Sequence, residues 1–242
     1  MTAAEIKFVK SLSQKKFRDA SGLFVVEGEK LVAEAQASRF TVEKVYRREE
    51  IGEAAMARIS ALSSPSPALA LVRRPSDLLR DEVPAKGLIL ALDGIRDPGN
   101  LGTILRIADW FGIDAVFASP DTVDVFNPKV VQATMGAIFR VRFHYTEIPA
   151  FCHRALVAGG KVYGTFLDGE NLYRKALDNG SEAPSVIVIG NEANGISAAT
   201  AARVSERLYI PPFPADDPGS ESLNAAVATA VTVAEFRRQG SL

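Results

Sequence analysis

The chain has 242 residues, enough for one large domain or two smaller ones, and its 47% hydrophobic and 24% charged content is that of a soluble globular protein. The apolar run at 88–92 is far too short to span a bilayer, the first residues lack the cationic start and apolar core of a secretion signal, and a single cysteine, Cys152, excludes an intrachain disulfide. A cytoplasmic protein with no membrane segment is therefore expected, and its net charge of −1 hides an asymmetry: residues 1–80 carry 14 Lys plus Arg against 10 Asp plus Glu, the remainder 14 against 19.

Residues 6–17 place apolar side chains at 6, 8, 9, 12 and 17 with lysines between them, a helical spacing. In the first 18 residues Lys7, Lys10, Lys15, Lys16 and Arg18 face only Glu5, so this helix is either a solvated face or a patch that meets phosphates. Leu23-Phe-Val-Val26 reads as a buried strand, 29–37 as a helix and 42–46 as a strand, which makes a small α/β module. The segment 73–87 is charged and broken by prolines, and the domain boundary is placed there, with domains at 1–80 and 86–242. Beyond it the pattern alternates: strand 88–93, helix 100–111, strand 114–118, helix 128–138, strand 141–145 and a helix near 148–158. Strands at 161–166, 185–189 and 207–210 follow, with a short helix after Ser197 and a last helix at 221–238. Such alternation predicts a parallel sheet covered on both faces.

Three stretches of this second part put Gly, Asn, Ser, Glu or Arg where an apolar segment meets a turn: Asn100-Leu-Gly-Thr-Ile-Leu-Arg106, Ile189-Gly-Asn-Glu-Ala-Asn-Gly195, and Ile210-Pro-Pro leading to Ser222-Leu-Asn224. Ligands of an open α/β sheet bind beyond the carboxyl ends of its strands, where these turns fall. Each residue also has a plain structural reading. Asn100 could cap the helix that follows Asp97-Pro98-Gly99, Glu192 could be a solvated acid, and Ser222 could be a cap. Arg106 lies in an apolar helix, where an unpaired guanidinium would be costly, and Asp109 is a candidate partner. The glycines around 94–102 form neither the G-x-G-x-x-G fingerprint nor a P-loop, so a nucleotide-dependent oxidoreductase and an NTPase are both disfavoured. His144, His153 and Cys152 have no metal-ligand spacing, and no metal is expected.

The order and content of the three stretches resemble the motifs of the SpoU (TrmH) family of RNA ribose 2′-O-methyltransferases, in the SPOUT class of S-adenosylmethionine-dependent enzymes. The resemblance covers residues from about 88 to the C-terminus, with a weaker likeness of the N-terminal module to an RNA substrate-binding domain related to ribosomal protein L30e. It implies a SPOUT-type parallel sheet with a trefoil knot after a small L30e-like α/β domain, a homodimer, and an RNA substrate, ribosomal in preference to transfer RNA. By the same resemblance, S-adenosyl-L-methionine would lie against Thr165, Gly190, Ile210 and Leu223. The polar catalytic positions would be Asn100, Arg106, Glu192, Ser222 and Asn224, and Lys10, Lys15, Lys16 and Arg18 would meet RNA. The alternative is a catalytically idle RNA-binding protein that retains the fold. The stretch 211–222 is longer than is usual in the family.

Overall fold

The computed structural model describes residues 1–75, 82–214 and 222–240, which fall into two compact units. One unit takes the residues before position 76 together with Asp124–Arg140, and the other takes 82–123 and the described residues after 140. The first unit thus also takes in a segment from beyond the boundary expected at 80–86.

In the first unit the pattern read as one helix is two, α1 (Ala3–Ser11) and α2 (Lys15–Ser21). A capping box opens α1, with the Thr2 hydroxyl accepting from the Glu5 backbone N–H and the Glu5 carboxylate accepting in return. The helix ends because the carbonyls of Leu12 and Ser13 turn aside to accept from the Arg18 guanidinium, at 2.8 and 2.9 Å. Strand β1 (Leu23–Glu27), helix α3 (Glu29–Ala37) and strand β2 (Val42–Arg47) lie where the pattern puts them. Short helices α4 (Arg48–Ile51) and α5 (Glu53–Ile59) and strand β3 (Ala68–Arg73) go beyond the sequence reading. The last is the central strand of an antiparallel sheet ordered β1-β3-β2, so its apolar run is buried on both faces. One face packs Ile6, Val9, Leu12, Met56 and Ile59 against Val25, Tyr46, Leu69 and Leu71.

Residues 124–140 belong to this unit because they carry two of its core aromatics. Phe126 lies 4.8 Å from Phe24 between ring centroids, and Phe139 lies 5.2 Å from Phe40. The helix expected at 128–138 is α7 (Pro128–Thr134), stopped by left-handed Met135 and Gly136 before a single 3-10 turn, Ala137–Phe139.

The second unit runs β4 (Gly87–Asp93), α6 (Pro98–Trp110), β5 (Ala115–Ala118), β6 (Phe143–Tyr145), α8 (Ile148–Val157), β7 (Lys161–Asn171), β8 (Pro184–Gly190), α9 (Ala198–Ala201), β9 (Glu206–Tyr209) and α10 (Ala225–Gly240). All its strand pairs are parallel, in the order β6-β5-β4-β8-β7-β9, as expected of this alternation. Alternate side chains of β4 serve opposite faces: Ile89 and Ala91 join Ile148, Phe151, Cys152 and Ala155 of α8, while α6 and α10 pack together, on β5 and β8 respectively. Burial, with Asp93 nearby, pushes the Cys152 thiol up to about 12, which makes it a core residue and not a nucleophile. Strand β7 continues five residues past the expected end, its register slipping between Thr165 and Glu170, which both face Leu208.

The order fixes where a ligand can sit. From β4 the chain steps outward to β5 and β6, then returns to place β8 on the other side of β4. The loops after β4 and β8 therefore part at a topological switch point, with Asp93 and Gly190 in register beside each other at its floor.

Candidate active site

Asp97 caps α6, accepting from the Asn100 N–H at 2.8 Å, and Pro98 occupies the first turn. Asn100 is thus not the cap, and its side chain is free for other work. Its amide N–H donates to Glu192 Oε1 at 2.8 Å, and its Oδ1 accepts from the Asn224 amide at 2.8 Å. Asn224, not Ser222, caps α10, with its Oδ1 accepting from the N–H groups of Ala226 and Val227. One continuous chain of side chains, Asn224–Asn100–Glu192, therefore ties together all three stretches singled out in the sequence. An amide can donate and accept at once, which is why asparagine suits the middle of such a chain.

Asn191 organises the loop and was not singled out. Its Oδ1 accepts from the N–H groups of Ala193 and Asn194, its amide donates to the Gly94 carbonyl at 2.7 Å, and its backbone pairs with Gly195 in both directions. The sequence signal is an Asn two residues before the turn it closes. The Asp93 carboxylate takes the Ser197 N–H at 2.8 Å, and the Gly94 N–H donates to Ser119 Oγ, so the loops after β4, β5 and β8 converge. In that cluster a Ser119 hydrogen bond, backed by Arg96, holds the Asp121 carboxyl below its usual value.

Gly190 is required by the loop's own packing. A Cβ there would lie 2.3 Å from the Gly195 carbonyl carbon and the Ile196 nitrogen, backbone atoms that cannot swing away. Gly190→Ala is expected to cost about 1–3 kcal/mol as overpacking. Urea unfolding of the variant checks this, and an unchanged midpoint would mean that the loop yields freely.

Arg106 stands apart from the chain of side chains. It is exposed on the outward stripe of α6 with Thr103 and Trp110, the latter 85% exposed, and its side chain makes no hydrogen bond or ion pair among the described residues. The cost expected of a buried guanidinium does not arise, since the side chain reaches solvent. Ser222 and Leu223 are also exposed; Thr165 and Ile210 are partly buried. Ile210 and Leu223 make no backbone hydrogen bond among the described residues, so their N–H and C=O groups can meet the amide-like edges of a bound cofactor. Thr165 opens the slipped segment of β7. Residues 215–221 of the long stretch lie outside the described residues.

Of the basic residues assigned to RNA, Arg18 is corrected. It is 2% exposed, donates to Asp124 Oδ2 through Nε and Nη2 at 3.0 and 2.5 Å, and spends Nη1 on the two carbonyls that end α1. Its fork is a fastener inside the first unit. Lys15 pairs with Asp19 at 2.7 Å, Lys16 lies over the Phe17 ring, and Lys10 is exposed. No group of His, Cys, Asp and Glu that could hold a metal ion occurs among the described residues.

A parallel α/β unit with a polar site at its switch point defines the class of protein, one in which carboxyl-end loops grip a ligand. The chain matches the SpoU rRNA Methylase family over residues 87–234 and the MRM3-like substrate binding domain over residues 3–64. It is 31% identical to the 23S rRNA (guanosine(2553)-2′-O)-methyltransferase RlmP of Bacillus subtilis, over 96% of each chain. A solved chain from Porphyromonas gingivalis, described as a TrmH-family RNA methyltransferase, shares 37% identity over 99% of both chains with a TM-score of 0.85. An AdoMet-bound rRNA methyltransferase from Sinorhizobium meliloti shares 29% over 98% of this chain and 95% of that one, with a TM-score of 0.87. This chain belongs to the SpoU methylase family.

Proposed function

We propose that the protein transfers a methyl group from S-adenosyl-L-methionine to the ribose 2′-oxygen of a nucleotide in structured RNA, ribosomal RNA ahead of transfer RNA. The observation that carries this is the Asn224–Asn100–Glu192 chain at the switch point, where three stretches far apart in sequence meet in one polar site. Backbone at Gly190, Ile210 and Leu223, with Thr165 beside them, would hold the cofactor, which supplies an electrophilic methyl on a sulfonium.

The ribose hydroxyl is a weak nucleophile, and its proton must leave as the new bond forms. Holding it in line is worth about 7–11 kcal/mol, more than a general base contributes, so most of the rate comes from positioning. The Asn100 and Asn224 amides can orient the ribose, with Glu192 fixing Asn100, and Ser222 adds a hydroxyl at the same helix start. A guanidinium is a poor proton acceptor, so the role of Arg106 is to stabilise charge developing on the ribose oxygen or to grip the adjacent phosphate.

The first unit, with Lys10, Lys15 and Lys16 on its helices, is the RNA-recognition part in this reading, and the protein is a cytoplasmic homodimer whose C-terminal unit carries a trefoil knot. The exposed Trp110 of α6 and Val227 of α10, on helices that pack side by side, support the dimer. Sedimentation at micromolar concentration tests it, and a strict monomer refutes it. A crystal structure whose traced chain straightens when both ends are pulled would exclude the knot.

The function itself is tested by mapping 2′-O-methylation across ribosomal and transfer RNA in cells with and without the gene. A ribosomal site lost on deletion, restored by wild type and not by Arg106→Ala, is the expected result. A change confined to a base atom would overturn the ribose assignment, and an unchanged methylation map would favour the idle RNA-binding alternative.

A further inference from the structure

The first unit holds a cavity of about 300 Å³ that the reading above does not use. It lies between the end of β1, the chain after α5, and α7, and Glu27 lines it together with Val25, Leu62, Lys129, Val131 and Gln132. Glu27 is 4% exposed. Its Oε1 accepts from the Ser60 hydroxyl and its Oε2 from the Ala61 N–H at 3.0 Å, and no cation pairs with it among the described residues. A carboxylate has about four acceptor positions, so each oxygen keeps one unspent. A buried acid kept half-satisfied at a cavity wall is costly unless something donates to it.

We infer that this cavity takes an unstacked guanine of the RNA substrate, with Glu27 accepting from N1–H and from the 2-amino group. The inference rests on RNA being the substrate. Among the four bases only guanine presents two adjacent N–H donors on its Watson–Crick edge, next to an acceptor, O6. The cavity offers the complement: two acceptors on Glu27 and a donor from the Gln132 amide or the Lys129 ammonium on α7. Val25, Leu62 and Val131 supply apolar surface for the base faces, and the volume is at the small end for organic ligands. Proteins read single-stranded RNA in this way, by taking an unstacked base and hydrogen-bonding its Watson–Crick edge.

The test titrates the full-length protein with short oligouridines carrying one central guanosine, inosine, adenosine or uridine, followed by fluorescence anisotropy at fixed salt. Guanosine should bind on the order of tenfold more tightly than uridine or adenosine, as one bidentate pair commonly discriminates, and inosine, which lacks the 2-amino group, should fall between. Glu27→Gln, which turns one of the paired acceptors into a donor, should abolish the preference without lowering affinity for plain oligouridine. Val131→Trp, which fills the cavity and leaves the carboxylate in place, should do the same, so the question stays answerable if one variant folds poorly. Equal binding of all four oligomers by wild type, or a guanosine preference that survives Val131→Trp, overturns the inference. Failure to bind any oligomer, with S-adenosylmethionine binding intact by calorimetry, overturns the RNA reading and this inference with it.

Discussion

Arg106→Ala is expected to lower the single-turnover rate of methyl transfer by about two to three orders of magnitude while leaving the melting temperature unchanged. The size is that of losing one group which, in the proposed role, meets charge developing in the transition state. The unchanged stability follows from the side chain's position: it is exposed, and it has no hydrogen bond or ion pair among the described residues to lose. Arg106→Lys should lose most of the activity as well, because an ammonium is a point charge and cannot bridge two acceptors as a planar guanidinium does. Cofactor affinity, measured separately by calorimetry, should not move in either variant. Near-normal turnover in the lysine variant with intact RNA binding would remove Arg106 from the chemistry. A large drop in melting temperature would instead make it a packing residue.

The second large effect is on stability. Asp124→Ala should destabilise the first unit by about 3–5 kcal/mol, since breaking a buried pair leaves an uncompensated charge in the interior. The remaining charge is Arg18, 2% exposed and unable to reach water without dismantling the end of α1. Urea unfolding followed by fluorescence of a probe on that unit measures the shift. The double variant Arg18→Met with Asp124→Leu should recover part of the loss, because an apolar pair has no charge to desolvate. It should not recover all of it, since the Leu12 and Ser13 carbonyls lose their donor. A single variant as stable as wild type would show that the pair is dispensable.

Arg18 also shows how far local pattern reaches. In the sequence it is one of five cations near the N-terminus, and a basic cluster on a helix reads as an RNA surface. Its partner stands 106 residues later, in a segment that sequence order assigns to the other part of the chain. Nothing local distinguishes it from Lys16. The same limit explains Asn100, whose spacing suits a cap. Asp97 before Pro98 was the better local candidate for the cap, since proline fits the first helical turn. What Asn100 does instead depends on Glu192 and Asn224, 92 and 124 residues away. Strand β3 was legible in principle as an apolar run, but only its central place in the sheet explains why no alternation marks it.

By itself the sequence determined the parallel α/β character of the second unit, the positions of its strands and helices, and the three polar stretches at strand ends. Those are set by local periodicity and turn chemistry, which act over a few residues. Only the tertiary structure decided which of the polar residues share a site, that Arg106 faces outward and Arg18 inward, and that residues 124–140 complete the first unit's core. These depend on contacts between residues roughly a hundred positions apart, and a side chain's exposure or partner there is set by the strand order that brings the distant segments together.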